Sequence, residues 1–178
     1  MRQGDTLIKE KEEVGDKMKI AVISDSHGNL KAVKQAVEEM GQVDVIIHLG
    51  DYVEDALYLR TITNIPVHIL KGNLDTFADD GSISLETTLG GFKIFACHGH
   101  KHGVKNDLHR LYYAGLEKSA QVILYGHTHH AYIEDDGRVL IMNPGSVGAP
   151  RMGDPESYGL ITIENGEIEA KIIPLWND

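Results

Sequence analysis

The chain has 178 residues, which is enough for one domain with its own hydrophobic core. Its net charge of -10 argues against binding a nucleic-acid backbone, because that affinity comes mainly from Lys and Arg. No apolar run is long enough to span a membrane, so we expect no membrane partner. The single cysteine, Cys97, rules out an intrachain disulfide and fits a reducing compartment, and we therefore expect a cytoplasmic protein.

Residues 1–17 are polar and show neither the period of a helix nor the apolar segment of a signal peptide. We interpret them as a weakly ordered N-terminal extension, or as the product of an upstream start codon with Met18 as the functional start. The alternative is a short arm that packs on a neighbouring molecule through Leu7 and Ile8.

The first half of the chain alternates strands and helices. A β-branched apolar run from Ile20 to Ile23 predicts a buried parallel strand. The helix after it has the apolar stripe Leu30, Val33, Val37 and Met40, with Asn29 or Ser26 as the cap and Gly41 at its end. A strand over residues 43–51, a helix over 53–63 and a strand over 67–73 complete a βαβαβ unit.

The second half predicts a different arrangement. A Gly-Gly turn at residues 90–91 joins two strands as an antiparallel hairpin, and a helix over 107–118 leads to a fifth buried strand at residue 122. From residue 131 onward the pattern is all strand, with turns at Asp136-Gly137 and Asn165-Gly166. The sequence therefore predicts an α/β domain of two sheets packed face to face, with helices outside.

Five of the predicted strands end in Asp, Asn or His beside a glycine. One such end is usually an ordinary turn. Five together are hard to explain structurally, because burying many polar side chains without partners is costly. Ligands bind beyond the carboxyl ends of strands in open α/β sheets, so these side chains predict one cluster. The residues are Asp25, His27, Asp51, Asn73, His98, His127 and His129.

The chemistry of this set indicates a metal centre. Two carboxylates, one amide and four imidazoles suit Mn²⁺, Fe, Zn²⁺ or Ni²⁺ rather than Ca²⁺ or a cysteine-rich zinc site. Seven ligands are too many for one ion. Two ions ~3.5–4 Å apart, sharing one carboxylate, would use them all and would attract a phosphate.

The motifs, in their order along the chain, resemble those of the calcineurin-like metallophosphoesterases. The motifs are Asp25-x-His27, Gly50-Asp51, Gly72-Asn73, His98 and Gly126-His127-x-His129. The short length, the DSHGN and HGH sequences and the Asn143-Pro144-Gly145-Ser146 segment resemble the small YfcE-type phosphodiesterase branch. This resemblance implies a metallophosphoesterase domain over residues 18–178, folded as a four-layer αββα sandwich of two mixed β-sheets flanked by helices.

The resemblance also implies roles for the seven residues. Asp25, His27 and His129 would hold one divalent ion, and Asn73, His98 and His127 the other. Asp51 would bridge the two ions. A bridging hydroxide would then attack the phosphorus of a small phosphodiester. Mn²⁺ is the first expectation, with Ni²⁺, Zn²⁺, Fe or Mg²⁺ as alternatives.

One position departs from the family pattern. Many members have a histidine after the Gly-Asn pair that helps to protonate the leaving group, whereas this chain has Leu74. Either the substrate has a good leaving group or another residue supplies the proton. His100 is the candidate, placed with Asn73 in contact with substrate, and the alternative is that His100 only makes local hydrogen bonds.

Other polar residues carry simpler expectations. His48 and His68 lie inside strands, where core packing is the expectation, and His102 and His130 are expected to be solvated. The segment from Asn143 to Ser146 either orients a ligand histidine or is a plain turn. Arg151 is either a phosphate clamp or a surface residue.

Two rival functions stay open from the sequence. A phosphomonoesterase could use the same centre, although the absence of a histidine after Asn73 counts against it. A non-catalytic scaffold, like the retromer subunit that shares this fold, is disfavoured because every metal position has a competent ligand. A homo-oligomer, dimer or tetramer, is also expected from exposed strand edges.

Overall fold

The computed structural model describes residues 17–176, and this part of the chain forms two sheets and three helices. The predicted extension, except for Lys17, lies outside the described residues, and so do Leu7 and Ile8. The elements are β1 (Met18–Ile23), α1 (Leu30–Met40), β2 (Val45–His48), α2 (Val53–Ile62), β3 (Val67–Ile69), β4 (Ser84–Leu89), β5 (Phe92–Cys97), α3 (His109–Glu117), β6 (Val122–Leu124), β7 (Ala131–Asp135), β8 (Leu140–Pro144), β9 (Ser157–Glu164) and β10 (Glu167–Pro174).

Both sheets are mixed. The first has the order β10-β9-β1-β2-β3, in which β1, β2 and β3 are parallel and β9 runs antiparallel to β1. The second has the order β4-β5-β6-β8-β7, with β5, β6 and β8 parallel and β4 and β7 antiparallel at the edges. The Gly-Gly hairpin between β4 and β5 is as predicted.

Alternating side chains along the central strands divide the core into layers. In β1, Ile20 and Val22 face the second sheet, while Ala21 and Ile23 face α1 and α2. In β6, Ile123 packs with α3 on the outer side of the second sheet. The result is the predicted αββα arrangement of two mixed sheets flanked by helices, and it is confirmed.

Helix α1 shows why the predicted apolar stripe was partly wrong. Asn29 Oδ1 accepts a hydrogen bond from Ala32 N at 3.1 Å and caps the helix, and Gly41 ends it with φ 60°. Leu30 is 41% exposed, however, and the buried face runs through Ala32, Val33, Ala36 and Met40. The small alanines take the central positions because they let the helix approach the sheet closely.

Cys97 lies at the end of β5 and is buried, as expected. Burial raises the pKa of its thiol to about 12, so the thiol stays protonated and inert at neutral pH. None of the helices in residues 17–176 has both the length and the apolar character that crossing a membrane requires.

The inter-sheet core predicts a clear effect of truncation. Ile47 in β2 is fully buried between the sheets. Ile47→Ala should therefore lower the free energy of unfolding by about 2–5 kcal/mol, through lost burial and a residual cavity. The same change at Ile83, which is 49% exposed, should cost far less. Urea denaturation of both variants checks this, and equal losses would contradict the proposed layering.

Candidate metal centre

The polar residues of the predicted cluster lie in loops that follow β1, β2, β3, β5 and β6. These loops hold non-glycine residues in a backbone conformation that L-amino acids rarely adopt. Positive φ angles occur at Asp25 (55°), His27 (48°), Asp51 (56°), His127 (69°) and His129 (60°). Strain of this kind concentrates at functional sites, where the surrounding structure enforces it. Five of the seven predicted ligands are strained in this way.

Six of the seven predicted residues form two overlapping groups. The first group contains Asp25, His27, Asp51 and His129, and the second contains Asp51, His98 and His127. Within each group the candidate ligand atoms all lie within 4.8 Å of one another. Asp51 belongs to both groups: its Oδ2 lies 3.8 Å from His27 Nε2, and its Oδ1 lies 3.5 Å from His98 Nε2.

Asn73, the seventh residue, is placed beside Asp51 through its neighbours. Leu74 N donates a hydrogen bond to Asp51 Oδ1 at 3.0 Å, and Gly72 N donates to Asp75 Oδ2 at 2.7 Å. Asn73 is exposed between these two anchored peptide groups. The role of Asn73 as a ligand of the second ion stays a prediction.

Unsatisfied buried atoms show that cations fit this site. Within residues 17–176, Asp25 Oδ1 and His98 Nε2 are buried and have no hydrogen-bond partner. His129 Nε2 is 3.1 Å from Asp25 Oδ1, but the contact lacks hydrogen-bond geometry. Buried polar atoms without partners are costly, and a cation between them would remove the cost.

The tautomers of two histidines point to the same conclusion. His98 Nδ1 donates to Leu49 O at 2.9 Å, and His129 Nδ1 donates to Ala149 O at 2.6 Å. In the neutral ring each Nε2 then carries the lone pair that a metal ligand requires. His27 Nε2 also lies 3.2 Å from His129 Nε2. Carboxylate oxygens with imidazole nitrogens suit Mn²⁺, Zn²⁺, Ni²⁺ or Fe.

The charges of the cluster suit cation binding. Burial alone would raise the pKa of Asp51, but the His98 ring, whose Nε2 lies 3.5 Å from Asp51 Oδ1, and the Leu74 N–H lower that pKa to about 2. Burial and the positive charges of His98 and Lys105 lower the pKa of His127 to about 4. At neutral pH the carboxylate is thus charged and His127 is a neutral ligand.

Two glycines of the motifs, Gly72 and Gly126, occupy positions where a side chain would clash with its neighbours. A Cβ on Gly72 would lie 2.0 Å from Asp51 Oδ1, and one on Gly126 would lie 2.0 Å from Ser24 Oγ and 2.8 Å from Asp25 Oδ2. The Gly-Asn and Gly-His pairs therefore reflect close approach of backbone to the carboxylates.

The sequence did not identify two supporting residues, the acid Asp75 and the hydroxyl of Ser24. Asp75 is buried and accepts hydrogen bonds from Tyr52 N and Val53 N, both at 2.9 Å, in addition to Gly72 N. It thus ties the loop after β3 to the strained turn after Asp51. Ser24 Oγ donates to Asp25 Oδ2 at 2.5 Å. The available signal for Asp75 was an acid two residues after the Gly-Asn pair.

The segment from Asn143 to Ser146 orients the site, and this favours the first of its two interpretations. Asn143 Nδ2 donates to Gly126 O and to Thr128 Oγ1, both at 3.0 Å. Ser146 Oγ donates to Asp25 O at 2.7 Å and accepts from Ala149 N at 2.7 Å. Because the Ala149 carbonyl receives His129 Nδ1, this segment fixes the ring of a candidate ligand.

His48 is in the core, as expected, but it is also a hydrogen-bonding residue. Its Nδ1 accepts from Gly50 N at 3.3 Å, so its Nε2 is the nitrogen that donates to Ser26 Oγ at 3.2 Å. Burial lowers its pKa to about 4. A neutral His48 thus joins the loop after β1 to the loop after β2.

Three further histidines, His100, His102 and His130, have different surroundings. His100 lies beside the cluster, with its ring centroid 5.4 Å from that of His98, and its buried Nδ1 has no partner within residues 17–176. The expectation that His102 is solvated was wrong, because its ring is half-buried against Phe95, and its Nδ1 is 3.7 Å from Cys97 Sγ. His130 is exposed, as expected, but its Nδ1 contacts Asp154 Oδ2 at 2.6 Å.

Comparison with known proteins identifies the family. The calcineurin-like phosphoesterase superfamily domain matches residues 18–166, and the chain belongs to that family. The chain is 40% identical to the probable metallophosphoesterase YsnB of Bacillus subtilis, over 83% of this chain and 86% of that protein. It is 28% identical to the phosphodiesterase YfcE of Escherichia coli, over 81% and 87% of the two chains. The predicted resemblance is therefore confirmed.

Solved structures agree with the fold. A predicted phosphoesterase from Streptococcus pneumoniae superposes with a TM-score of 0.75 at 30% identity, covering 89% of this chain and 90% of that one. Vacuolar protein sorting 29 from Cryptosporidium parvum superposes with a TM-score of 0.69, covering 88% and 97% of the two chains. Its identity is only 18%, so it shares the fold alone. The family and the donor set together define a metal-dependent phosphoesterase.

The hydrogen bonds of Asn143 predict a stability effect. Asn143→Ala removes donors to Gly126 and Thr128 and the acceptor for Gly145 N. At about 1 kcal/mol per bond, the free energy of unfolding should fall by about 2–3 kcal/mol. Asn64→Ala, at an exposed position, is the matched control and should change it little. Urea titrations measure the stability of both variants. Equal unfolding midpoints would show that the hydrogen bonds of Asn143 do not stabilise the fold.

Proposed function

We propose that the protein is a two-metal phosphodiesterase that hydrolyses a small phosphodiester. The single observation that carries this proposal is the position of Asp51 in both ligand groups. One carboxylate common to two sets of donors is what a pair of ions at bridging distance requires. The kinship with YfcE, a protein named as a phosphodiesterase, supports the choice of a diester.

In this proposal the ligands divide as the family resemblance implies. Asp25, His27 and His129 would hold one ion, His98 and His127 would hold the other together with Asn73, and Asp51 would serve both. Mn²⁺ is the expected metal, by resemblance, and Ni²⁺, Zn²⁺, Fe and Mg²⁺ are the alternatives. When bound, such ions supply Lewis acidity toward the phosphoryl oxygens and lower the pKa of water.

The chain's own residues prepare the site for this chemistry. The carbonyls of Leu49 and Ala149 fix the rings of His98 and His129 before any substrate arrives. Preorganised groups of this kind need no rearrangement during the reaction. Asn73 and His100 are the proposed substrate contacts, and the His100 ring lies beside the cluster, with its centroid 5.4 Å from that of His98.

Leu74 restricts the leaving group. The residue is 55% exposed, its backbone N–H contacts Asp51, and its side chain has no proton to donate to a leaving group. Substrates with acidic leaving groups, such as aryl diesters, need little protonation and are favoured. For other substrates His100 is the candidate donor.

The phosphomonoesterase alternative is weaker because the position after Asn73 lacks a proton donor, and the scaffold alternative is weaker because no ligand position is lost. A cytoplasmic location and a homo-oligomer stay predictions.

Asp51→Asn provides the principal test. Purified protein loaded with Mn²⁺ should hydrolyse bis(p-nitrophenyl) phosphate, and the substitution should lower the rate by at least about a hundredfold, because the carboxylate common to both groups is lost. Release of p-nitrophenolate is the measurement. Addition of Mn²⁺ should also raise the melting temperature of the wild-type protein, since a ligand of the native state stabilises it.

Asp135→Asn is the matched control for this test. Asp135 is exposed at the far end of β7, where it accepts a hydrogen bond from Gly137 N that an asparagine keeps. This variant should retain both the rate and the shift in melting temperature. Metal-loaded wild-type protein without activity that depends on Asp51 would overturn the assignment.

Leu74→His tests the account of the leaving group. A histidine at this position would supply a proton donor, and a general acid contributes about 10²–10⁴-fold to a rate. The gain should be large for an alkyl diester and small for bis(p-nitrophenyl) phosphate, whose leaving group needs no acid. The ratio of kcat/KM for the two substrates is the readout. Equal gains on both would show that Leu74 does not limit protonation.

A further inference from the structure

A cavity of about 580 Å³ adjoins the candidate metal centre. Its walls come from residues 104–108, from the loop and strand over 128–132 and from residues 151–152. A volume of this size is typical of small-molecule sites and far exceeds that of one phosphoryl group. The cavity therefore has room for one substituent of a phosphodiester whose phosphorus lies at the metal centre.

The loop after β6 is a wall shared by the cavity and the metal centre. His127 and His129 belong to the two ligand groups, whereas the alternate residues Thr128 and His130 line the cavity. Asp154 Oδ2 accepts from His130 Nδ1 and from Ala131 N at 3.0 Å, which holds this wall in place. The proposed substrate would therefore have to pass around the edge of this loop to occupy both sites.

Two cations line this cavity in a chain with a net charge of -10. Within residues 17–176, neither Lys105 nor Arg151 forms an ion pair, although four lysines elsewhere do. Asp107 also lines the cavity, but its carboxylate lies 3.3 Å from His109 Nδ1 and accepts a hydrogen bond from His109 N. Even with the carboxylate of Asp107 counted, the two cations leave the cavity lining with a net positive charge.

Both cations are close to the metal centre. Arg151 N donates to His129 O at 3.3 Å, which fixes this residue beside the ligand loop. Lys105 lines the same cavity as Thr128 and His130, the two residues that flank the candidate ligand His129. The two side chains belong to different loops and both line the cavity, so each could contact an anionic group bound there.

We propose that this cavity binds a second phosphate carried by one substituent of the phosphodiester. Lys105 and Arg151 are its specificity-determining residues, and Tyr132 and Met152 on the same walls contact the organic part of the substituent. The substrate class is thus a phosphodiester with an additional phosphate, as in a phosphorylated nucleoside ester. This inference rests on the proposed function for the position of the reacting phosphoryl group.

Binding of two related nucleotides tests the inference. Thymidine bisphosphate, with a phosphate at each end of its sugar, is compared with thymidine monophosphate by isothermal titration calorimetry on the full chain, with and without Mn²⁺. The bisphosphate should bind about tenfold more tightly, because each exposed charged contact contributes modestly. The Lys105→Gln/Arg151→Gln double variant should lose this preference, and raised salt should reduce it in the wild-type protein.

Arg138→Gln is the matched control, because Arg138 is an exposed cation in the turn between β7 and β8 and does not line the cavity. It should keep the tenfold preference. Equal binding of the two nucleotides by the wild-type protein, or a preference that survives in the double variant, would overturn the inference. A retained preference in a protein without any hydrolytic activity would uphold it and count against the proposed function alone.

Discussion

The site depends on one carboxylate, that of Asp51, being held where two groups of donors overlap. Its backbone has φ 56°, and its Oδ1 accepts the Leu74 N–H at 3.0 Å. The approach of the two loops is so close that Gly72 has no space for a Cβ. Strain in the backbone is offset by hydrogen bonds from the surrounding loops, and the same bonds fix the direction of the carboxylate.

The surrounding network explains how five strained residues persist together. Asp75 accepts three backbone N–H groups, Ser146 connects Asp25 with the peptide that orients His129, and Asn143 ties down the loop after β6. Each bond contributes modestly by itself, but the bonds are buried and mutually supporting. The candidate ligands are thereby positioned in advance, and within residues 17–176 two of their atoms, Asp25 Oδ1 and His98 Nε2, are buried without a hydrogen-bond partner.

The two-sheet architecture gives the site its chemical variety. β1 and β2 come from one sheet and β5 and β6 from the other, so their loops approach the centre from two directions. A single open sheet would present its strand ends in one row. Two packed sheets instead bring loops to the centre from both sides. Asn73 and His100 lie beside this centre. The cavity with Lys105 and Arg151 lies on the other side of the ligand loop.

Patterns in the sequence were enough to predict the architecture, the family and six of the residues that come together in the two groups. Hydrophobic period and turn glycines are local signals, and strand ends that carry Asp, Asn and His are visible without coordinates. Which atoms face one another became visible only in the folded chain. The fold places Asp51 in both ligand groups, half-buries His102 against Phe95 and aims Asp75 at three backbone N–H groups. It also forms the cavity on the other side of the loop that carries His127 and His129. The physical reason is that these features depend on contacts between residues far apart in the chain, which no local pattern encodes.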